Sequence, residues 1–410
     1  MNCTIVTTET RIAPFLDPVG ETPVANRPLR EWQEQAIRRA GLALVPEAEK
    51  LSGPCVILPD NLFVSAPLLI AFVAELRKAP PTKPTAMRVV RSSMIEENKA
   101  LQGLANLEIE KDHKSSADFP LLYVPEGQTW TAGFAAESNV EIEPKERVFA
   151  LEVPEHYFGR TRLAWPMTSM CAMVLRHWSH IVRLNMAAQA VEALDSPWWR
   201  RTLWMLWAVL RSVVPTKARV LRRMSRVGKG CNIHPTAVVE ASVIEDGVTI
   251  GPHAVVTFSR IGKGSWIQEM SKVSLSVVGE HCMVSSGTMV NSCMLYPQAS
   301  ASQRLMQLCA LGRRSITTGG GFMMDMVFEG EQKIPFDGET QSLGSRFLGS
   351  AVGHDTKLGT GFWLAPGRVI PNGVTIVRHP DDVLRSIPQD VEPGTTMVVK
   401  KGRLVPIDEC

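Results

Sequence analysis

From Val227 onward the aliphatic positions fall at Val227, Ile233, Val239, Ile244, Ile250, Val256, Ile261, Ile267, Val273, Val278, Val284, Val290 and Leu295. The steps run six, six, five and repeat, so one column reads Val239, Val256, Val273, Val290 and the unit is seventeen residues long. Neither a helix nor an alternating strand has such a period, and a repeat this short is a single coil that must stack on its neighbours to bury its apolar side. Four residues after successive aliphatics stand Cys231, Ala237, Val248, Ala254, Ser265, Ser271, Cys282 and Thr288, compact enough to share a narrow interior with the larger side chain. The pattern predicts a triangular prism with one short strand per side, each coil hydrogen-bonding the next at roughly 4.8 Å. It resumes at Phe347, Val352, Leu358, Leu364, Ile370 and Ile376, which leaves 300–346 as an insertion holding a helical Arg304 to Leu311, the run Gly319 to Gly321 and an acidic stretch.

Upstream the pattern changes to alternating strands and helices. Asn2 to Thr7 and Cys55 to Leu58 read as strands and Pro28 to Ala40 and Ala66 to Lys78 as helices, an α/β layer domain over 1–155. Met170, Met173, Val174, Trp178, Ile181 and Val182 are spaced for a helix, and 156–226 is expected to be a helical linker of two or three helices. The prism then spans 227–380, and a tail over 381–410 is placed to add an edge-covering strand.

The prism resembles the left-handed β-helix of the hexapeptide-repeat acyltransferase superfamily. Handedness comes from that resemblance alone, since crossover preference favours the right-handed form. It implies a homotrimer with acyl-donor and acceptor sites between neighbouring prisms, acetyl-CoA or another acyl-CoA as co-substrate, and a sugar or sugar nucleotide as acceptor. Acyl transfer needs a base for the acceptor, commonly a histidine at a coil corner. Of His234, His253, His281 and His354, His354 in Gly349-Ser-Ala-Val-Gly-His354 is the choice, expected at the surface just after the insertion. Gly359, Gly361, Arg368 and Asn372 resemble the late coils that take coenzyme A. There is no His-x4-His pair, and no metal is expected in the β-helix.

In the N-terminal domain, Pro23-Val-Ala-Asn-Arg-Pro-Leu29 and Val56-Ile-Leu-Pro-Asp-Asn61 resemble sugar-1-phosphate nucleotidyltransferases. That domain joined to a hexapeptide prism is the arrangement of the bifunctional uridyltransferase/glucosamine-1-phosphate acetyltransferase. The chain departs from it where the chemistry sits. Family members cradle a triphosphate in a glycine-rich loop ending Gly-Thr-Arg, and this chain has Thr7-Thr-Glu-Thr-Arg11. Arg11 and Asp60 match the motifs, but Val19 stands where a phosphate-neutralising lysine is required. A degenerate, non-catalytic domain is the expectation.

Composition trims the possibilities further. A net charge of +3 gives no overall steering towards nucleic acid. Eight cysteines with no CxxC pair and an unremarkable start at Met1 suit a cytoplasmic protein. Charge is concentrated locally: no acidic residue lies between Asp195 and Glu240, while Arg200, Arg201, Arg211, Lys217, Arg219, Arg222, Arg223, Arg226 and Lys229 do. Beside them stand Trp198, Trp199, Trp204, Leu206 and Trp207, so 198–230 reads either as a cap on the open end of the prism or as a peripheral contact with the inner membrane face. Three functions stay open: acyl-CoA-dependent transfer to a sugar, a non-catalytic trimeric scaffold or ligand-binding protein, and residual nucleotidyl transfer through Arg11 and Asp60.

Overall fold

The computed structural model describes residues 1–410 other than 48–49, 111, 132, 134, 197–198, 200–201, 204–205, 208–215, 386, 388–390, 392–393 and 410. The N-terminal domain is built on one mixed sheet. Its strands are β1 (Asn2–Val6), β2 (Ala43–Leu44), β3 (Cys55–Pro59), β4 (Thr85–Ser92), β5 (Ala105–Glu110), β6 (Lys114–Val124) and β7 (Ser138–Ile142). They lie in the order β7-β4-β6-β3-β1-β2, with β5 on β6. β1 is parallel to β2 and β3, while β6 runs antiparallel between β3 and β4. Helices α1 (Leu29–Arg39) and α2 (Ala66–Lys78) pack through Ala36, Ile37, Leu68, Leu69, Phe72 and Leu76 onto the odd-numbered side chains of β4, Met87 and Val89. The alternate residues Arg88 and Val90 leave that core, because a strand sends successive side chains to opposite faces.

This domain continues past 155. Arg147–Glu152 and Arg162–Met167 form a hairpin, and Ala172–Val174 pairs with Leu62–Val64. Met173 and Val174 are therefore strand rather than helix residues, and the helices expected in the linker are α3 (Trp178–Leu194) and α4 (Lys217–Arg223), with helical residues between them. Helical spacing over five residues did not distinguish a turn of helix from a short strand. The tryptophans at 198 and 204 and the arginines at 200, 201 and 211 lie outside the described residues.

The C-terminal domain is a left-handed parallel β-helix. Two of its faces are eight-stranded and the third begins with five strands. Register confirms the coil: Arg226 lies opposite Val243, Asn232 opposite Thr249 and Val238 opposite Val255, a step of seventeen each time. The predicted aliphatics from Ile244 to Leu295, and then Val352, Leu358 and Ile370, are buried in one continuous core. Val227 is instead 53% exposed, and Phe347, expected to restart the repeat, lies before the strand at Ala351–Val352 and outside that core. At the corners, non-glycine residues take left-handed backbone, as His281, Gln298, Arg314 and Asp355 do in the column that Gly264 shares.

The expected insertion over 300–346 and its helix at Arg304 to Leu311 are corrected. Ser300–Ala301, Leu305–Gln307, Ala310–Leu311, Ile316–Thr317 and Phe322–Met323 are all prism strands. Two physical features hid them. One coil is sixteen residues long, with Met289 opposite Leu305. Apart from Leu311, the inward positions there are Ala301, Met306, Thr317 and Met323, which an aliphatic pattern does not score. The true insertion lies between Met323 and Ala351 and carries the hairpin Lys333–Phe336/Glu339–Ser342. The tail strands Met397–Lys400 and Arg403–Pro406 pair with each other rather than with the last coil.

The two domains share one hydrophobic cluster. The outward residues Val277, Met294, Ala310 and Ala351 of one prism face are fully buried beneath α3 and the loop through Phe15, together with Trp178, Ile181, Leu184 and Ala188. The insertion closes the joint from the other side. Ile334, Leu343 and Leu348 enter the same cluster, Asp337 pairs with Arg176 at 2.5 Å, and Phe347 packs on Tyr157 and Phe158.

Candidate functional site

The first β–α loop, where a triphosphate would be cradled, is occupied by the protein's own carboxylates. Asp60 Oδ1 accepts from the Thr8 amide at 3.0 Å and the Thr8 hydroxyl at 2.6 Å, and Glu47 accepts from the amide and hydroxyl of Thr7, both at 2.9 Å. Asn61 donates to the Thr10 hydroxyl. A phosphate needs those amides free and no negative charge among them. Asp60 stands where the sequence put it, at the end of β3, but holds the loop closed; Arg11 is exposed and bridges Pro18.

His354 is not the exposed corner expected. It is 6% exposed, covered by the N-terminal loop, with its ring 5.2 Å from both Phe15 and Tyr296. Nδ1 accepts from the Arg313 amide at 2.7 Å, which leaves the proton on Nε2 to be donated to Asp17 Oδ2 at 3.1 Å. Asp17 also accepts from the Arg313 guanidinium at 2.8 Å. Burial lowers the imidazole's pKa, partly opposed by Asp17. Both ring nitrogens are engaged, so His354 offers no free lone pair to an acceptor while the domains are docked. Sequence reasoning missed Phe15 and Asp17 because they meet His354 only through a contact across most of the chain, and Arg313 because the insertion sets its coil 41 residues from the next.

The four expected coenzyme residues divide. Asn372 belongs to the joint, with Oδ1 accepting from the His354 amide at 2.6 Å and Nδ2 donating to the Phe15 carbonyl at 3.1 Å. Arg368 is exposed on the last coils, and Gly361, at φ +82°, lies where a Cβ would come 3.0 Å from the Arg378 guanidinium. Gly359 sits against the Ile376 carbonyl of the following coil. His234, His253 and His281 are exposed corners.

A feature the motifs did not announce lies on the open side of the N-terminal sheet. Two cavities, of about 690 and 600 Å³, meet at Asn106 and Asn139, which line both. Arg88 lines the first and Asp118 the second, and the two form an ion pair at 2.8 Å, each 8% exposed. Asp118 Oδ2 accepts from Asn106 at 2.6 Å and Asn139 at 3.1 Å, and Arg88 also reaches Glu108 at 3.0 Å. The guanidinium's pKa is raised by its hydrogen bond to Asp118. Arg176 lines the second cavity beside Gly103, whose φ of +64° and missing Cβ leave room for the guanidinium. The rim holds Glu110, Ser116 and Glu141 on one side and Gln102 and Ser138 on the other. Carboxylates, carboxamides and guanidinium groups of both signs suit a polyhydroxylated ligand, which offers a donor and an acceptor at every hydroxyl. Alternation was the available signal: Arg88 sits between Met87 and Val89, and Asp118 between Ala117 and Phe119.

Fold and site define a two-domain protein, an α/β domain fastened to a left-handed parallel β-helix. Residues 212–308 match the family described as the GMPPB C-terminal domain. Among solved structures, a hexapeptide transferase family protein from Anaplasma phagocytophilum is similar at 17% identity over 37% of this chain and 78% of that one, with a TM-score of 0.17. At that score the superposition carries no weight of its own, and the fold rests on the strand register above. No curated protein matches. Among the described residues no cluster of three or more His, Cys, Asp or Glu could hold a metal ion, and no helix is long and apolar enough to cross a membrane.

Proposed function

We infer that this chain is a sugar-nucleotidyltransferase-related binding protein: its N-terminal groove takes a sugar or the sugar end of a sugar nucleotide, and its first loop performs no nucleotidyl transfer. The observation that carries the reading is the Arg88–Asp118 pair with Asn106 and Asn139 in the lining of two connected cavities, in a domain whose phosphate loop is filled by Asp60 and Glu47. Arg176, which lines the second cavity and pairs with Asp337, would be the cation nearest a phosphate or other anion on the sugar. In this reading the prism supplies assembly, and the trimer implied by its resemblance would use exposed side chains such as Trp266 and Ile316. Calorimetry with glucose, glucose 1-phosphate and UDP-glucose tests it. Binding of at least one, weakened about tenfold or more by Asn139→Ala, is expected, with no pyrophosphate released from UTP and sugar 1-phosphate in magnesium. Silence with all three, or steady pyrophosphate release, overturns it.

A second reading, acyl-CoA-dependent transfer, is favoured by Trp363, 77% exposed, and the exposed Arg368 on the final coils, an aromatic platform and a cation suited to an adenine and its phosphates. Acetyl-CoA consumption that persists in His354→Ala would separate the activity from His354, and none in the wild-type protein would end this reading.

A further inference from the structure

The end of the prism nearest the first coil is basic on its outer side. Helix α4 lies across that coil, the Leu221 carbonyl accepting from the Ala241 amide at 2.8 Å, and so caps the open edge that a solenoid must cover. Its far side and the first coil leave Arg219, Arg222, Arg223, Arg226 and Lys229 exposed. Glu240 stands 4.0 Å from Arg222, and Asp246 accepts from the Lys229 amide at 2.6 Å. Just upstream, helical residues Trp199, Leu203, Leu206 and Trp207 follow one helical stripe and are 48%, 58%, 53% and 44% exposed. Apolar side chains at that spacing, rich in tryptophan and followed by cations with no acid from Ser196 to Val239, fit the boundary between headgroups and acyl chains. A two-fold partner copy would bring the basic end against itself.

We propose that this end of the molecule docks on an anionic lipid surface, the stripe Trp199/Leu203/Leu206/Trp207 entering the interface and the cations at the end of the prism meeting the headgroups. The prism axis then points away from the bilayer and leaves the N-terminal groove open to solution.

Vesicle co-sedimentation of the full chain tests this, using phosphatidylcholine alone and phosphatidylcholine doped with phosphatidylserine. The protein is expected to sediment with the anionic vesicles only and to be released by salt. Arg223→Glu/Arg226→Glu/Lys229→Glu should lower partitioning by roughly fivefold or more per charge. Leu203→Ser/Leu206→Ser, which leaves the charge alone, should lower it about tenfold or more; both variants alter exposed positions and should keep the wild-type melting temperature. Equal recovery with both vesicle types, no recovery with either, or full binding by Leu203→Ser/Leu206→Ser overturns the proposal. So does a loss of oligomer mass in that variant without any vesicle binding, which would assign the stripe to a second copy.

Discussion

The two domains handle buried polarity in opposite ways. Inside the prism the repeated polar side chains are short, and they bond to the backbone of the adjacent coil: the Ser265 hydroxyl donates to the Gly279 carbonyl and accepts from the Cys282 amide, and the Ser276 hydroxyl sits likewise between the Val290 carbonyl and the Cys293 amide. Each such bond repeats a local pattern, so a seventeen-residue step in the sequence discloses it. The N-terminal domain buries a whole ion pair, Arg88 with Asp118, whose carboxylate also accepts from the exposed Asn106 and Asn139, all drawn from strands whose order no repeat predicts. A periodic interior is legible and chemically quiet; an aperiodic one is hidden from the sequence and holds the cavities.

Placing a charge inside the prism breaks that comparison most severely. Val273 is fully buried between Val256 and Val290 in a column with no polar partner for a carboxylate. Val273→Asp should cost more than about 4 kcal/mol and yield insoluble protein or a chain without its β-rich circular dichroism. A soluble, cooperatively melting Val273→Asp would show that single coils can be sacrificed.

The joint comes next. Phe15 stacks on Tyr296 with ring centroids 4.6 Å apart, and its carbonyl is held by Asn372. Phe15→Ala should lose about 3–5 kcal/mol and also uncouple the domains, so that one calorimetric transition becomes two. A single, merely shifted transition would mean that the insertion hairpin and α3 suffice to fuse them.

These cases mark how far the sequence could be read. The prism, its phase and its inward columns came from spacing alone, until Met306 and Met323 replaced aliphatics and one coil shortened. The degenerate phosphate loop was visible in Glu9 and the missing glycines, yet the closing contacts of Asp60 and Glu47 were not, since hydrogen bonding across 40 and 52 residues leaves no local mark. His354 was identified as chemically conspicuous, but its burial depends on Phe15 and Asp17, which only the tertiary fold brings there.

Acid tests the N-terminal side selectively. His180 is buried, its Nδ1 accepting from the Arg176 amide and its Nε2 facing the Ala100 carbonyl at 2.9 Å; desolvation pushes its pKa down to about 4. The unfolded chain takes up that proton first, near pH 6.5. Stability from the neutral imidazole is therefore fully present above about 6.5 and is lost as pH falls towards 4, by about 3 kcal/mol. His177, pushed down to about 3 beside it, adds a loss of the same sign at lower pH. Urea midpoints between pH 7 and pH 4 should fall, and fall less in His180→Gln; identical slopes would remove this account.

The finest comparison lies within one corner, between His354 and its neighbour Asp355. Asp355 makes a two-pronged pair with Arg314, both bonds 2.6 Å, but each side chain is 50% exposed and Asp355 is otherwise bathed in solvent. Screening and the entropy of holding two mobile side chains leave such a pair little net effect on stability. Asp355→Ala should thus shift the urea midpoint barely beyond error, and the small shift should vanish in high salt. His354→Ala removes a ring packed between Phe15 and Tyr296 and leaves Asp17 with the Arg313 guanidinium alone, so its effect should be several times larger and insensitive to salt. Equal effects from the two substitutions would mean that the N-terminal loop does not hold His354 covered in solution, and the histidine would return as an accessible base.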